Sequence, residues 1–210
     1  MPASPDPLSP GVSPARATSA TTGRSSSSGP GSAPGLVLAP FRALRYDSAR
    51  AGDLTSLTSP PYDVIDADAV LALEAANDHN IVRLILPRES AEDPADTGGG
   101  ATDRYTGARR RLEEWRSDGV LRPDERPALY VYEQADPASG HVQRGLVGAL
   151  HLSPPEDGIV LPHENTMAGP VSDRLALYTA VEADLEPIFL VYDGGGAASR
   201  AVAEVEGSAA

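Results

Sequence analysis

The chain has 210 residues, is 40% hydrophobic and carries a formal net charge of -13, which suits one packed domain with a tail. So acidic a balance argues against nucleic acid and anionic membranes as partners, because both demand a cation-rich surface. Neither cysteine nor lysine occurs, so all 17 basic residues are arginines. Disulfides, thiolate nucleophiles, cysteine-held metals, a P-loop lysine and Schiff-base chemistry are thereby excluded within this chain.

Residues 1–35 are mostly Pro, Ser, Ala, Gly and Thr, with scattered Arg16 and Arg24 and no apolar periodicity. Such a stretch cannot offset the entropy of ordering, and a disordered tail is expected, with the domain spanning residues 36–210. No run resembles a secretory signal or approaches the length of a bilayer span, so a cytoplasmic location is expected. The heavy use of Ala, Arg, Gly and Pro points to a GC-rich bacterial source.

Residues 36–46 read as a short strand or extended entry interrupted by Pro40. Pro60 and Pro61 then hold the backbone extended and present Tyr62 and Asp63 at a defined angle, either as a packed rigid turn or as part of a cleft. Asp66 predicts an N-cap for a helix to about Asn77, with Ala69, Val70, Leu73 and Ala76 as its apolar stripe. The continuous apolar run 81–86, stopped by Pro87, predicts a buried strand whose Arg83 needs a carboxylate, a carbonyl or an anionic ligand. Residues 88–101 form a long Gly- and acid-rich connection without a phosphate-loop pattern.

Thr102 predicts the cap of a helix ending near Gly119, with Tyr105, Ala108, Leu112 and Trp115 at core spacing. Arg109, Arg110 and Arg111 interleave with Glu113 and Glu114, the pattern of a solvated face. Residues 128–133 and 142–152, each with period two, predict a hairpin around 136–140. A helix follows at about 172–184 with Leu175, Tyr178 and Val181 inward, then a strand at 188–192 and a short terminal helix. The elements together predict an α+β domain with packed helices on a mixed sheet.

Polar chemistry concentrates at 163–174. His163 and Glu164 begin like a zinc-protease motif, but Met167 stands where the second histidine is required, and that motif fails. A general acid-base pair at His163 and Glu164, with substrate anchored by Thr166 and Arg174, is the chemistry these residue types allow. The plainer alternatives are a capping loop and, at Asp173 and Arg174, a helix N-terminal acid beside a salt-bridging arginine.

Eight features occur in order: Pro-Phe-Arg-Ala at 40–43, Pro-Pro-Tyr-Asp-Val-Ile at 60–65, the apolar run at 81–87, the helix ending Trp115 and Gly119, Ala-Leu-Tyr-Val-Tyr-Glu at 128–133, His-Glu-x-Thr at 163–166, Ser-Asp-Arg-Leu at 172–175 and Pro-Ile-Phe-Leu-Val-Tyr-Asp at 187–193. That order resembles the prokaryotic family called domain of unknown function 1015, over roughly residues 36–205. The resemblance implies the N-terminal portion of a longer protein. In the remainder, members carry an Asp-Gly-His-His-Arg motif similar to that of ParB-like and sulfiredoxin-like nucleotide-using domains, including a free-serine kinase. This chain has no such motif, and Val171 replaces the lysine usual before the Asp-Arg pair.

The function so implied is a small-molecule phosphotransferase, or a related nucleotide-dependent enzyme acting on an amino acid such as serine. Magnesium and a nucleotide would be its cofactors. His163 and Glu164 would be acid-base or metal-orienting groups, Arg174 would bind an anionic group, and Asp173 would orient Arg174 or the metal. Tyr62 and Asp63 would line the same cleft, and Asp63, Glu164 and Asp173 would supply oxygen ligands to magnesium. The alternative is a non-enzymatic module that binds a metabolite or partner in the same cleft.

Overall fold

The computed structural model describes residues 35–88, 101–162, 166–192 and 196–208. In chain order the elements are β1 (Leu38–Ala39), β2 (Leu44–Tyr46), α1 (Ser48–Ala51), α2 (Ala67–Ala76), α3 (Val82–Ile85), α4 (Ala101–Ser117), β3 (Leu121–Pro123), β4 (Tyr130–Ala135), β5 (Val142–Val147), β6 (Ala149–Leu150), α5 (Ala168–Val181) and α6 (Ala197–Ser208). The fold is α+β, as the pattern predicts. Its strands pair antiparallel in three separate ladders, β1 with β6, β2 with β3 and β4 with β5, where one mixed sheet was expected.

The long helix α4 is the centre of the core. Tyr105, Ala108, Leu112 and Trp115, spaced three or four apart, share one helix face and are all buried. They pack with Leu57, Leu84, Leu121, Leu177 and Val181. Gly119, at φ +70°, ends α4 in the left-handed region that glycine adopts without a side-chain clash. Trp115 sits edge-on to His79, their ring centroids 5.5 Å apart. Tyr46 stacks obliquely on Trp115 and donates its hydroxyl to the His79 carbonyl at 2.8 Å. Helix α4 already includes Thr102, so that residue does not cap it from outside.

The predicted strand at 81–86 is a single helical turn, α3. Asn80 decides this. It is fully buried, its amide donates to the Ser56 and Thr58 carbonyls, and its side-chain oxygen accepts the Val82 N–H at 2.9 Å. That last bond caps the turn locally, and the Asn80 carbonyl takes the Arg83 N–H. Val82, Leu84 and Ile85 are buried on all sides, so periodicity could not separate helix from strand. Asn77 reinforces the lock by donating to Ala51 and Ser56. Asp66 caps α2 by accepting the Ala69 N–H, as predicted.

Helix α5 begins at Ala168, four residues before the predicted start at Ser172. Pro170 falls in its first turn, where a missing N–H costs nothing. The buried face is turned from the predicted one: Leu177 and Val181 are buried and Tyr178 is partly so, while Leu175 is exposed. The helix ends at Glu182, which takes a left-handed conformation at φ +53°. Residues 188–192 form no strand. They run as irregular chain with Ile188, Phe189, Leu190, Val191 and Tyr192 exposed. The hairpin of β4 and β5 forms as predicted, with Asp136 accepting from the Ala138 and Ser139 amides in its turn. Among the described residues no helix is long and apolar enough to cross a membrane.

Candidate functional site

Four of the residues singled out by sequence lie near one another or adjacent in the chain. Tyr62 belongs to a single 3-10 turn, Tyr62–Val64, that follows Pro61. Its ring lies under the guanidinium of Arg174, 4.4 Å from centre to carbon, a cation–π contact between residues far apart in the sequence. Asp63 follows on the same turn, exposed, and makes no hydrogen bond or ion pair among the described residues. Asp173 and Arg174 occupy the second turn of α5, inside the helix and past its N-terminal turn.

Asp173 is the hub of a charged network. Its Oδ1 accepts the Tyr105 hydroxyl at 2.6 Å and Arg104 Nη2 at 2.5 Å. Its Oδ2 accepts Arg174 Nη2 at 2.6 Å and Nε at 3.1 Å. Burial alone would raise this carboxyl, but the bonds from Tyr105 and Arg174 and the two guanidinium charges hold it below the ordinary aspartate range. Arg174 also donates to the Ile85 carbonyl at 2.7 Å and to Glu186 at 3.3 Å. Burial works against its charge, yet Asp173 and Glu186 hold its proton more tightly than usual. Burial and the nearby Glu186 charge push the Tyr178 phenol up to about 12, and it donates to that carboxylate.

Arg104, Tyr105 and Glu186 were missed as members of this group. The sequence held one signal for them: a buried tyrosine hydroxyl needs a partner, so Tyr105 in the core stripe of α4 implied a polar neighbour. Arg104 stacks on the Tyr105 ring at 4.7 Å, and its Nε is buried without a hydrogen-bond partner. Among the described residues, that donor is the one buried side-chain atom of the network left without a partner.

Thr166 is exposed one residue before Met167, which precedes α5 and gives no side-chain cap. His163 and Glu164 lie outside the described residues. Among the described residues no group of three or more His, Asp or Glu gathers as a metal site. The donor chemistry agrees, since both oxygens of Asp173 are taken by arginine and tyrosine donors, so this carboxylate does not fit as a magnesium ligand in this arrangement. An open depression of about 730 Å³ lies at the C-terminal end of α4, lined by Arg50, Arg116, Asp118 and Arg122, and includes none of the residues above.

No curated protein and no solved structure matches the chain. A family model described as "Protein of unknown function (DUF1015)" matches residues 38–210, from the first strand of the fold through the Asp173 network, and the chain belongs to that family.

Proposed function

We propose that this chain binds a small metabolite at the junction of Tyr62, Arg104 and Arg174, taking the ligand's carboxylate or phosphate on Arg104. The observation that carries this reading is the buried, unpartnered Nε of Arg104, beside an Arg174 whose three nitrogens are all used. Buried donors are almost always satisfied, so an idle one on a fixed, planar guanidinium favours an oxyanion partner. Asp173 acts here as a positioning residue that holds both arginines, while Tyr62 and Asp63 stand at the edge of the site.

Calorimetric titration with free and phosphorylated amino acids tests it. At least one compound should bind, and Arg104→Gln should weaken that binding tenfold or more, about 1.4 kcal/mol, while the fold survives. Failure of the whole panel, or binding indifferent to Arg104, sinks the reading.

Phosphate transfer from a nucleotide to an amino acid such as serine is the second reading, and one observation favours it. His163 and Glu164 precede Asp173 and Arg174 in the sequence by nine to eleven residues, just ahead of the helix that carries the pair. Turnover with magnesium and ATP, lost in His163→Ala and Glu164→Ala, would support catalysis; binding without product leaves the module reading alone.

A further inference from the structure

A second group of arginines lies between α3 and α4, apart from the Asp173 network. Arg83 has a largely buried side chain that donates to the Glu74 carbonyl at 2.7 Å, and its ion pair to the exposed Asp78 is long at 3.6 Å. Its Nε is buried with no hydrogen-bond partner. Arg111, predicted to face solvent, is partly buried, and its one hydrogen bond to the described residues reaches the Arg83 carbonyl at 3.5 Å, the outer limit for such a bond.

The surrounding carboxylates, Glu74 and Glu114 near Arg111 and Asp78 near Arg83, compensate only in part. Glu74 gives its carboxylate to Arg88, and Glu114 stands 4.0 Å from Arg110. Burial and the like charges of Arg83 and Arg110 make Arg111 give up its proton more readily than usual. Two partly buried guanidinium groups whose charges repel and which are short of acceptors form an arrangement that costs free energy when left empty. Their forks match the geometry of a phosphate or carboxylate.

We propose that the junction of α3 and α4 binds one oxyanion from solution, the phosphate or carboxylate of a small molecule, between the guanidinium groups of Arg83 and Arg111. The anion supplies the acceptors that Arg83 Nε and Arg111 lack. It also bridges the two elements, since α3 is only one turn long and is otherwise held to α4 by apolar packing and the long Arg111–Arg83 bond.

Inorganic phosphate is the probe, titrated calorimetrically into the full chain in a buffer without other oxyanions. Wild-type protein should bind it and gain thermal stability in proportion to ligand occupancy. Arg111→Gln and Arg83→Gln should each weaken binding at least tenfold. Arg116→Gln, an exposed control, should leave it unchanged. Arg111→Gln should also melt no lower than wild type without phosphate, because it relieves crowding between cations; that separates a lost site from a lost fold. No phosphate binding by wild type, or equal binding by both glutamine variants, overturns the proposal. Loss of binding only in Arg104→Gln overturns it as well, and assigns the anion to the Tyr62–Arg174 junction.

Discussion

Two regions of this molecule use the same kinds of residue in opposite ways. Around α4 the apolar side chains are interior: Leu112 is 3% exposed, and Leu57, Leu84 and Leu177 are fully buried. Asn80, the buried polar residue among them, is matched bond for bond. From residue 152 to 192 large apolar residues stand in solvent, with Leu152 at 86% and Ile188 and Val191 at 85%. Helix α5 belongs to both regions. It buries Leu177 and Val181, exposes Val171 and Leu175, and is tied down by the Asp173 network. Apolar character therefore does not by itself decide burial here; what decides it is whether a helix face or a capped turn brings the residue against α4.

Truncation in the α4 region should have the largest effect. Leu112→Ala removes a buried side chain at the middle of the core and should cost about 2–5 kcal/mol, since the surrounding helices close the space only in part. Urea unfolding followed by circular dichroism measures it. A cost below about 1 kcal/mol would mean that α4 and α5 are not packed together as described.

Substitution at Asp173 has a smaller, pH-dependent effect. Its folded carboxyl titrates below the unfolded value, so its contribution is present above the usual aspartate range near 4 and is lost as pH falls through the folded value. Asp173→Asn keeps the shape but accepts fewer bonds, and two arginines lose their counter-charge. At pH 7 it should melt lower than wild type, by about 1–2 kcal/mol given the partial exposure of the site. The gap should begin to close as pH drops below about 4, where the unfolded chain takes up the proton, and vanish below the folded value, where the wild-type carboxyl also becomes neutral. A gap constant from pH 7 to 3 would show that the network acts through shape alone.

The sequence made the α+β class, the α4 stripe, the Asp66 cap, the Gly119 stop and the β4–β5 hairpin legible, because each depends on neighbours a few residues away. It failed at 81–86 because a fully buried run carries no period, and because the Asn80 bonds that choose a helical turn reach back to Ser56 and Thr58. In the site, Asp173, Arg174 and Tyr62 were legible as chemistry, and the partners of Arg174 were not. Arg174 was expected to bind an anion, but its donors are spent on Asp173, Ile85 and Glu186. The idle donor belongs to Arg104, whose place in the network depends on the packing of α4 against α5, and no local pattern encodes that.

The smallest expected effect tests the other side of the comparison. Ile188-Phe189-Leu190-Val191-Tyr192 has the composition of a buried strand, yet it pairs with no strand among the described residues, and Phe189 is 71% exposed. A side chain already in water has little transfer free energy to lose, so Phe189→Ser should change the stability of the isolated chain by no more than about 0.5 kcal/mol. The same substitution should raise solubility, because an apolar, uncharged run with free backbone groups is a template for pairing between chains. Urea midpoints and light scattering, measured on one preparation, check both parts. A loss above about 1 kcal/mol would place Phe189 against the α4 core in solution and erase the contrast between the two regions. Unchanged stability with reduced scattering would show that this segment's apolar surface acts between molecules and contributes nothing to the fold of one.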